Sequence, residues 1–129
     1  MKDDFLWVEK YRPTHIEHCI LPKDIKDTFQ SFVKKGEVPN LLLCGTAGIG
    51  KTTIAKALCN EIGVDSYMIN GSDEGRFLDT VRNSAKQFAS TVSLTSSSKH
   101  KVIIIDEADN TTHDVQLLLR ASIEEFQKN

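Results

Sequence analysis

Apolar residues recur along this chain in two rhythms, one helical and one of short continuous runs. Between residues 23 and 35, Ile25, Phe29, Phe32 and Val33 return at helical spacing with Lys and Asp opposite, and Gly36 supplies a stop. Pro39-Asn40 then punctuates the entry to Leu41-Leu42-Leu43-Cys44, an apolar run that predicts a first strand. Ile54, Ala55, Leu58 and Ile62 predict a second helix, capped by Gly63. Tyr67 to Asn70 predicts a second short strand. From near Gly75 to about Thr91 a third helix carries Phe77, Leu78, Val81, Ala85, Phe88 and Val92 on one side. Arg76, Asp79, Arg82, Asn83 and Lys86 lie away from that stripe.

Val102 to Ile105 are four consecutive β-branched residues, which predict a third strand buried on both faces, as in a parallel sheet. A last helix, about 112 to 127, aligns Val115, Leu119, Ile123 and Phe126. Strands and helices together give an α/β chain. Two stretches have no period. Leu6 to Pro13 reads, on its residues alone, as a tail packed on the domain by Trp7; residues 93 to 100 are polar and serine-rich and read as a mobile surface loop. No internal repeat is present.

Composition narrows the class. The 129 residues, 40% hydrophobic and 26% charged, suit one globular domain and not a disordered chain. A formal charge of -2 provides no overall basic field, so any nucleic-acid contact must come from a local patch. Cys19, Cys44 and Cys59 lack metal-ligand spacing; Cys44 in its apolar run and Cys59 in its helix read as small core residues, and a reducing cytosol is the expected home. No signal peptide or membrane-length apolar run is seen, so no membrane partner is expected.

The chemistry begins at Gly45-Thr46-Ala47-Gly48-Ile49-Gly50-Lys51-Thr52, between the first strand and the second helix. Two glycines five apart, followed by Lys and Thr, have the spacing of a phosphate-binding loop. Glycines allow the tight turn that points backbone N–H groups at phosphate oxygens, and the following helix adds its positive end. Lys51 is placed to reach the β- and γ-phosphates, and the Thr52 hydroxyl to hold Mg²⁺. Asp106-Glu107, at the C-terminal end of the third strand, is the second chemical element, in the position where ligands bind in open α/β sheets. Asp106 suits the acid that holds Mg²⁺, and Glu107 a general base for water. An apolar strand ending in acids is a weak signal alone; 55 positions after Lys51 it becomes a strong one.

The set resembles the AAA+ ATPase subunits of sliding-clamp loaders of the replication factor C type, and among these looks most like the large subunit of phage loaders. The likeness rests on Glu9-Lys10-Tyr11-Arg12-Pro13, Pro39-Asn40-Leu41-Leu42, Asn70-Gly71-Ser72-Asp73, Asp106-Glu107-Ala108-Asp109, and Leu119-Arg120 with Ile123-Glu124. The literal Asp-Glu-Ala-Asp string also invites a DEAD-box helicase, but that family's spacing and further motifs are not matched. A nucleoside-monophosphate kinase is disfavoured by the Glu beside Asp106.

The resemblance implies a subunit that binds ATP and Mg²⁺ and hydrolyses ATP in DNA replication. Nucleotide contacts are implied at Val8, Tyr11, Arg12 and Pro13, at Ile20 and Leu21, at Gly45, Thr46, Ala47, Gly48, Ile49, Gly50, Lys51, Thr52 and Thr53, and at Asp106. Thr52 and Asp106 are the implied metal ligands, and Glu107 and Lys51 the catalytic residues. Arg82 and Lys86, i and i+4 on one helix face, with Arg76, are implied to meet DNA phosphates without reading sequence. The bland alternative is a solvated face on which Asp79 pairs with Arg82. Gln116 and Arg120 are candidates for a subunit interface. Other loader subunits, a sliding clamp and primer–template DNA are the implied partners, in the cytoplasm, of a bacterial host if phage-encoded.

Family strand order is 5-1-4-3-2, and this chain supplies only strands one, two and three. The fourth and fifth strands, the sensor residue, the arginine finger, the helical lid and the collar domain are not found. The expectation is an incomplete AAA+ parallel sheet with flanking helices, residues 1–129 being the N-terminal part of a longer protein. The competing expectation is a non-hydrolysing nucleotide-binding assembly module that needs a partner chain.

Overall fold

The computed structural model describes residues 6–91 and 100–125, without the side chains of residues 74–76. The expected serine-rich loop up to residue 99, Val92, Phe126 and the Arg76 side chain lie outside the described residues. The chain divides into two compact units, Met1–Gly63 and Val64–Asn129.

The first unit is built on helices. A four-residue helix α1 (Trp7–Lys10) and a single 3-10 turn at Ile16–His18 lead to α2 (Lys23–Lys35), and α3 (Lys51–Ile62) follows the glycine-rich loop. Gly36 and Gly63 end α2 and α3 in the left-handed conformation, as expected. The core joins Phe29 of α2, Ile54, Ala57 and Leu58 of α3, and Ile16 and Cys19 of the N-terminal arm, with Phe32, Val33 and Ile62 packed against it. Ile16 is completely buried, so the arm is part of this core.

Three side chains of α3 hold the arm. Thr53 Oγ1 accepts from Arg12 Nη1 at 3.2 Å, Asn60 Nδ2 donates to the Thr14 carbonyl at 2.9 Å, and Glu61 Oε2 accepts the Ile16 N–H at 2.8 Å. The arm is therefore attached, but not through Trp7, which is 78% exposed. The expected anchor gives way to Ile16, whose branched aliphatic side chain buries without stranding a polar group.

The expected first strand is not formed. Residues 41–44 have no ladder pairing among the described residues, Leu42 is 84% exposed, and Cys44 is exposed rather than in the core, although Leu43 packs against it. An apolar run becomes a strand only when another segment takes its N–H and C=O groups, and none among the described residues does.

The second unit holds a parallel pair, β1 (Asp65–Asn70) and β2 (Lys101–Asp106), with Asp65 opposite Lys101 and Asn70 opposite Asp106. The connecting helical segment runs as α4 (Glu74–Asp79), a π-helical stretch at Thr80–Ala85, and α5 (Lys86–Ser90). Its apolar stripe is as expected: Phe77, Val81 and Ala85 are buried with Ile69 of β1 and Val115 of α6 (His113–Glu125), and Ile103 and Ile105 of β2 pack against them. β2 is half-buried along its length rather than covered on both faces. Only the face bearing Ile103 and Ile105 meets this core. On α6, Val115 is buried and Leu119 packs on the core, whereas Ile123 is exposed. Lys101 ties the end of α5 to the start of β2: Nζ donates to the Phe88 carbonyl at 2.6 Å and to Thr91 Oγ1 at 2.8 Å, and also to the Thr91 carbonyl. A cation at a helix C-terminus is favoured there by the helix dipole.

Candidate functional site

The glycine-rich loop belongs to the first unit. Gly50 has φ 97° and ψ 19° and forms the N-cap of α3, its carbonyl accepting the Ile54 N–H at 2.9 Å. A Cβ there would meet nothing within 4 Å, so the demand for glycine is conformational: L side chains rarely adopt that backbone. Gly45 and Gly48 also have positive φ, 152° and 78°. The N-cap is a glycine, which has no side chain to compete with an anion for the positive end of α3.

Lys51 turns back onto this loop. Its Nζ donates to the carbonyls of Gly45 at 2.9 Å and Thr46 at 2.7 Å. The ammonium thereby sits over the loop, held by weak neutral acceptors that phosphate oxygens can outcompete. Residues 45–49 are exposed, and Thr52 and Thr53 are half-buried on the first turn of α3.

The N-terminal residues implicated with the nucleotide divide in two. Val8 and Tyr11 are exposed apolar surface, with Lys10 Nζ 5.3 Å from the Tyr11 ring centroid. Arg12 and Pro13 are half-buried, and Arg12 is fixed by Glu9 Oε1 at 2.7 Å from Nη2 as well as by Thr53. Ile20 is 99% exposed, while Leu21 packs against the core of the first unit.

Asp106 and Glu107 belong to the second unit. Asp106 closes β2, its carbonyl accepting the Gly71 N–H at 2.8 Å and its Oδ1 the Glu107 N–H at 3.1 Å. Glu107 follows in the left-handed conformation, φ 53° and ψ 42°, and its side chain is exposed. It is the one non-glycine residue with positive φ among those described. Such strain gathers at functional positions. Nothing in the residue pattern marks it.

Gly71 is a residue that sequence reasoning placed in a motif without a role. A Cβ on it would fall 2.7 Å from the Glu107 carbonyl oxygen and 3.1 Å from that of Asp106. Beside it, Asn70 Oδ1 accepts the Ser72 N–H at 2.9 Å and the Ser72 hydroxyl at 2.7 Å, an Asx turn that leads the chain off β1.

Mg²⁺, a hard cation, favours carboxylate and hydroxyl ligands, and the Thr52 hydroxyl in the first unit and the Asp106 carboxylate in the second are each of that type. Among the described residues no group of three or more His, Cys, Asp or Glu side chains gathers to hold a metal by itself. Mg²⁺ bound with phosphates needs only one or two protein ligands.

Of the other candidates, Arg82 is exposed on the π-helical stretch, and no described ion pair joins it to Asp79. Lys86 Nζ instead pairs with Glu125 Oε1 of α6 at 3.0 Å. Gln116 and Arg120 are exposed on α6, Gln116 Nε2 reaching the Thr111 carbonyl at 3.5 Å. No described helix is long and apolar enough to cross a membrane.

Comparison with known proteins gives the site its family. Residues 41–129 match the family described as ATPase family associated with various cellular activities (AAA). The chain is 44% identical over 126 residues to a replication factor C small subunit of Methanoculleus marisnigri, covering 94% of this chain and 38% of that protein. It is 45% identical over 123 residues to the sliding-clamp-loader large subunit of Escherichia phage RB69, covering 94% and 37%, and 42% identical over 123 residues to that of Enterobacteria phage T4, with the same coverage. The chain thus spans less than two fifths of the length of these relatives. The phosphate-loop spacing, the acids that end β2 and these matches agree on one assignment: the chain belongs to the AAA family of ATPases.

Proposed function

We propose that this chain is the nucleotide-binding part of a sliding-clamp-loader subunit that binds and hydrolyses ATP in DNA replication. The observation that carries the reading is the phosphate loop itself, with a left-handed Gly50 at the start of α3 and Lys51 poised over the loop carbonyls. The N–H groups of the loop and of the first turn of α3 bind the phosphates, and Lys51 exchanges its carbonyl acceptors for phosphate oxygens. Thr52 and Asp106 are the residues that would hold Mg²⁺, which would supply neutralisation of phosphate charge. Glu107 takes a proton from the attacking water. Val8 and Tyr11 offer apolar surface to the base, which is flat and poorly solvated on its faces.

Arg82 and Lys86 meet the phosphates of primer–template DNA, and Gln116 and Arg120 lie toward a neighbouring subunit. Other loader subunits and a ring-shaped clamp are the partners, a reading supported by the names of the relatives and the extent of identity.

Titration calorimetry with Mg²⁺ and ATP tests the binding claim, and a phosphate-release assay tests turnover. Wild type is expected to bind and Lys51→Ala to lose binding; a wild type with no binding heat overturns the proposal. A second reading, a nucleotide-binding assembly module without hydrolysis, is favoured by residues 41–44, which have no ladder partner among the described residues and of which Leu41, Leu42 and Cys44 are exposed. The two readings part at turnover: binding without hydrolysis in the presence of partner subunits and primed DNA selects the second.

A further inference from the structure

The arm that carries Val8 and Tyr11 is joined to the phosphate-loop helix by a chain of polar contacts. Glu9 Oε1 lies 2.7 Å from Arg12 Nη2, and Arg12 Nη1 donates to Thr53 Oγ1 at 3.2 Å. Thr53 sits next to Thr52 on the first turn of α3. Arg12 Nε is buried with no partner among the described residues, so two of the three guanidinium nitrogens hold the group and the third is enclosed. Without an acid beside it, a half-buried guanidinium with an enclosed N–H favours a rotamer that returns it to water. Glu9 removes that tendency. Arg12 is part of the nucleotide-contacting arm proposed above; Glu9 has no such role, and its carboxylate is directed at Arg12.

We propose that Glu9 is a positioning residue: by fixing Arg12 on Thr53 it locks the base-binding arm to the helix that holds the phosphates. The inference rests on the nucleotide-binding reading above and adds a division of labour to it. The loop and Lys51 bind triphosphate whether or not the arm is locked. The arm contributes only when a base and ribose are present, and its contribution depends on Glu9. Preorganisation of this kind raises affinity by removing the ordering cost at binding. The pair is partly exposed, so the effect is modest.

The test is a pair of titrations on the full-length protein, one with Mg²⁺ and ATP and one with Mg²⁺ and inorganic tripolyphosphate, for wild type, Glu9→Gln, Glu9→Asp and Thr53→Val. Glu9→Gln is expected to weaken ATP binding about two- to fivefold and to leave tripolyphosphate binding as in wild type. Glu9→Asp, which keeps the charge, should recover part of the loss. Adding Thr53→Val to Glu9→Gln should cost less than the two single effects combined, because both cut the same chain of contacts. Unchanged ATP affinity in Glu9→Gln overturns the inference, and so does an equal loss for ATP and tripolyphosphate, which would place Glu9 in the fold of the loop. A wild type that binds neither ligand overturns the nucleotide-binding reading itself; one that binds both while Glu9→Gln behaves identically overturns only the role of Glu9.

Discussion

The N–H of Gly71 donates to the carbonyl of Asp106 at 2.8 Å, one residue beyond the last paired position of the two strands. The chain leaving β1 is thereby pressed against the turn that presents Asp106 and Glu107, at a distance that leaves no room for a side chain. Gly71→Val is expected to destabilise the second unit by about 1–3 kcal/mol, the usual range for overpacking at a buried position. Turnover should fall along with stability, because the Glu107 carbonyl has to move. Denaturant midpoints and phosphate release check this; a midpoint equal to wild type would show that the close approach is not enforced.

Glu107 pays a conformational cost for its position. A left-handed backbone in a non-glycine residue costs on the order of 1–2 kcal/mol, and asparagine tolerates it better than glutamate. Glu107→Asn should therefore raise thermal stability slightly, by up to about 1 kcal/mol, while abolishing ATP turnover. Glu107→Gln keeps the strain and the shape; it should keep ATP binding, lose turnover, and leave the melting temperature unchanged.

The three cysteines separate by burial. Cys44 is exposed, whereas Cys19 and Cys59 are buried and burial pushes both thiols above their ordinary pKa. Because the thiolate is the reactive form, the raised values lower the reactive fraction at any pH below them. One fast-labelling thiol is expected with an aromatic disulfide reagent at neutral pH, and Cys44→Ser should remove it. The two slow thiols should accelerate as pH rises. Three equally slow thiols would return residues 41–44 to a core.

Lys86 and Glu125 form a half-exposed ion pair, so cutting it should change stability by no more than about 0.5 kcal/mol. Its effect on DNA should be larger in relative terms. Glu125→Gln frees Lys86 for phosphate and should tighten binding to primed DNA, whereas Arg82→Ala should weaken it and reduce the salt slope by about one. Fluorescence anisotropy across a salt series measures both. No response to either change would leave this helix face as solvated surface.

Much of the architecture was legible in spacing. Phe29 and Val33 marked the inner face of α2, Gly36 and Gly63 its end and that of α3, and Phe77, Val81 and Ala85 the stripe of the connecting helix. Those signals are local: a period or a cap is written within a few residues. What failed was non-local. The apolar character of Leu41 to Cys44 is real, but a strand also needs a neighbour, and the run alone does not carry one. Val102 to Ile105 revealed a strand but not how much of it would be covered.

The site divides the same way. Gly45 to Thr52 and Asp106-Glu107 were singled out from residue type and order. The left-handed Glu107 was invisible because glutamate does not advertise that backbone as glycine does. The link from Arg12 to Thr53 spans 41 positions and leaves no pattern at either end. Lys86 was placed on the correct face, but its partner, Glu125, comes from a different helix, beyond the reach of i, i+3 and i, i+4 reasoning.

Ile16 reaches the interior from an arm whose preceding turn is open to solvent. Removing Trp7 to Tyr11 takes away no buried side chain, although it cuts the Glu9–Arg12 contact, but trimming a few residues further extracts a plug from the cluster that holds Leu58 and Phe29. A shortened version starting after Ile16 should therefore expose greasy surface, bind hydrophobic dyes and precipitate.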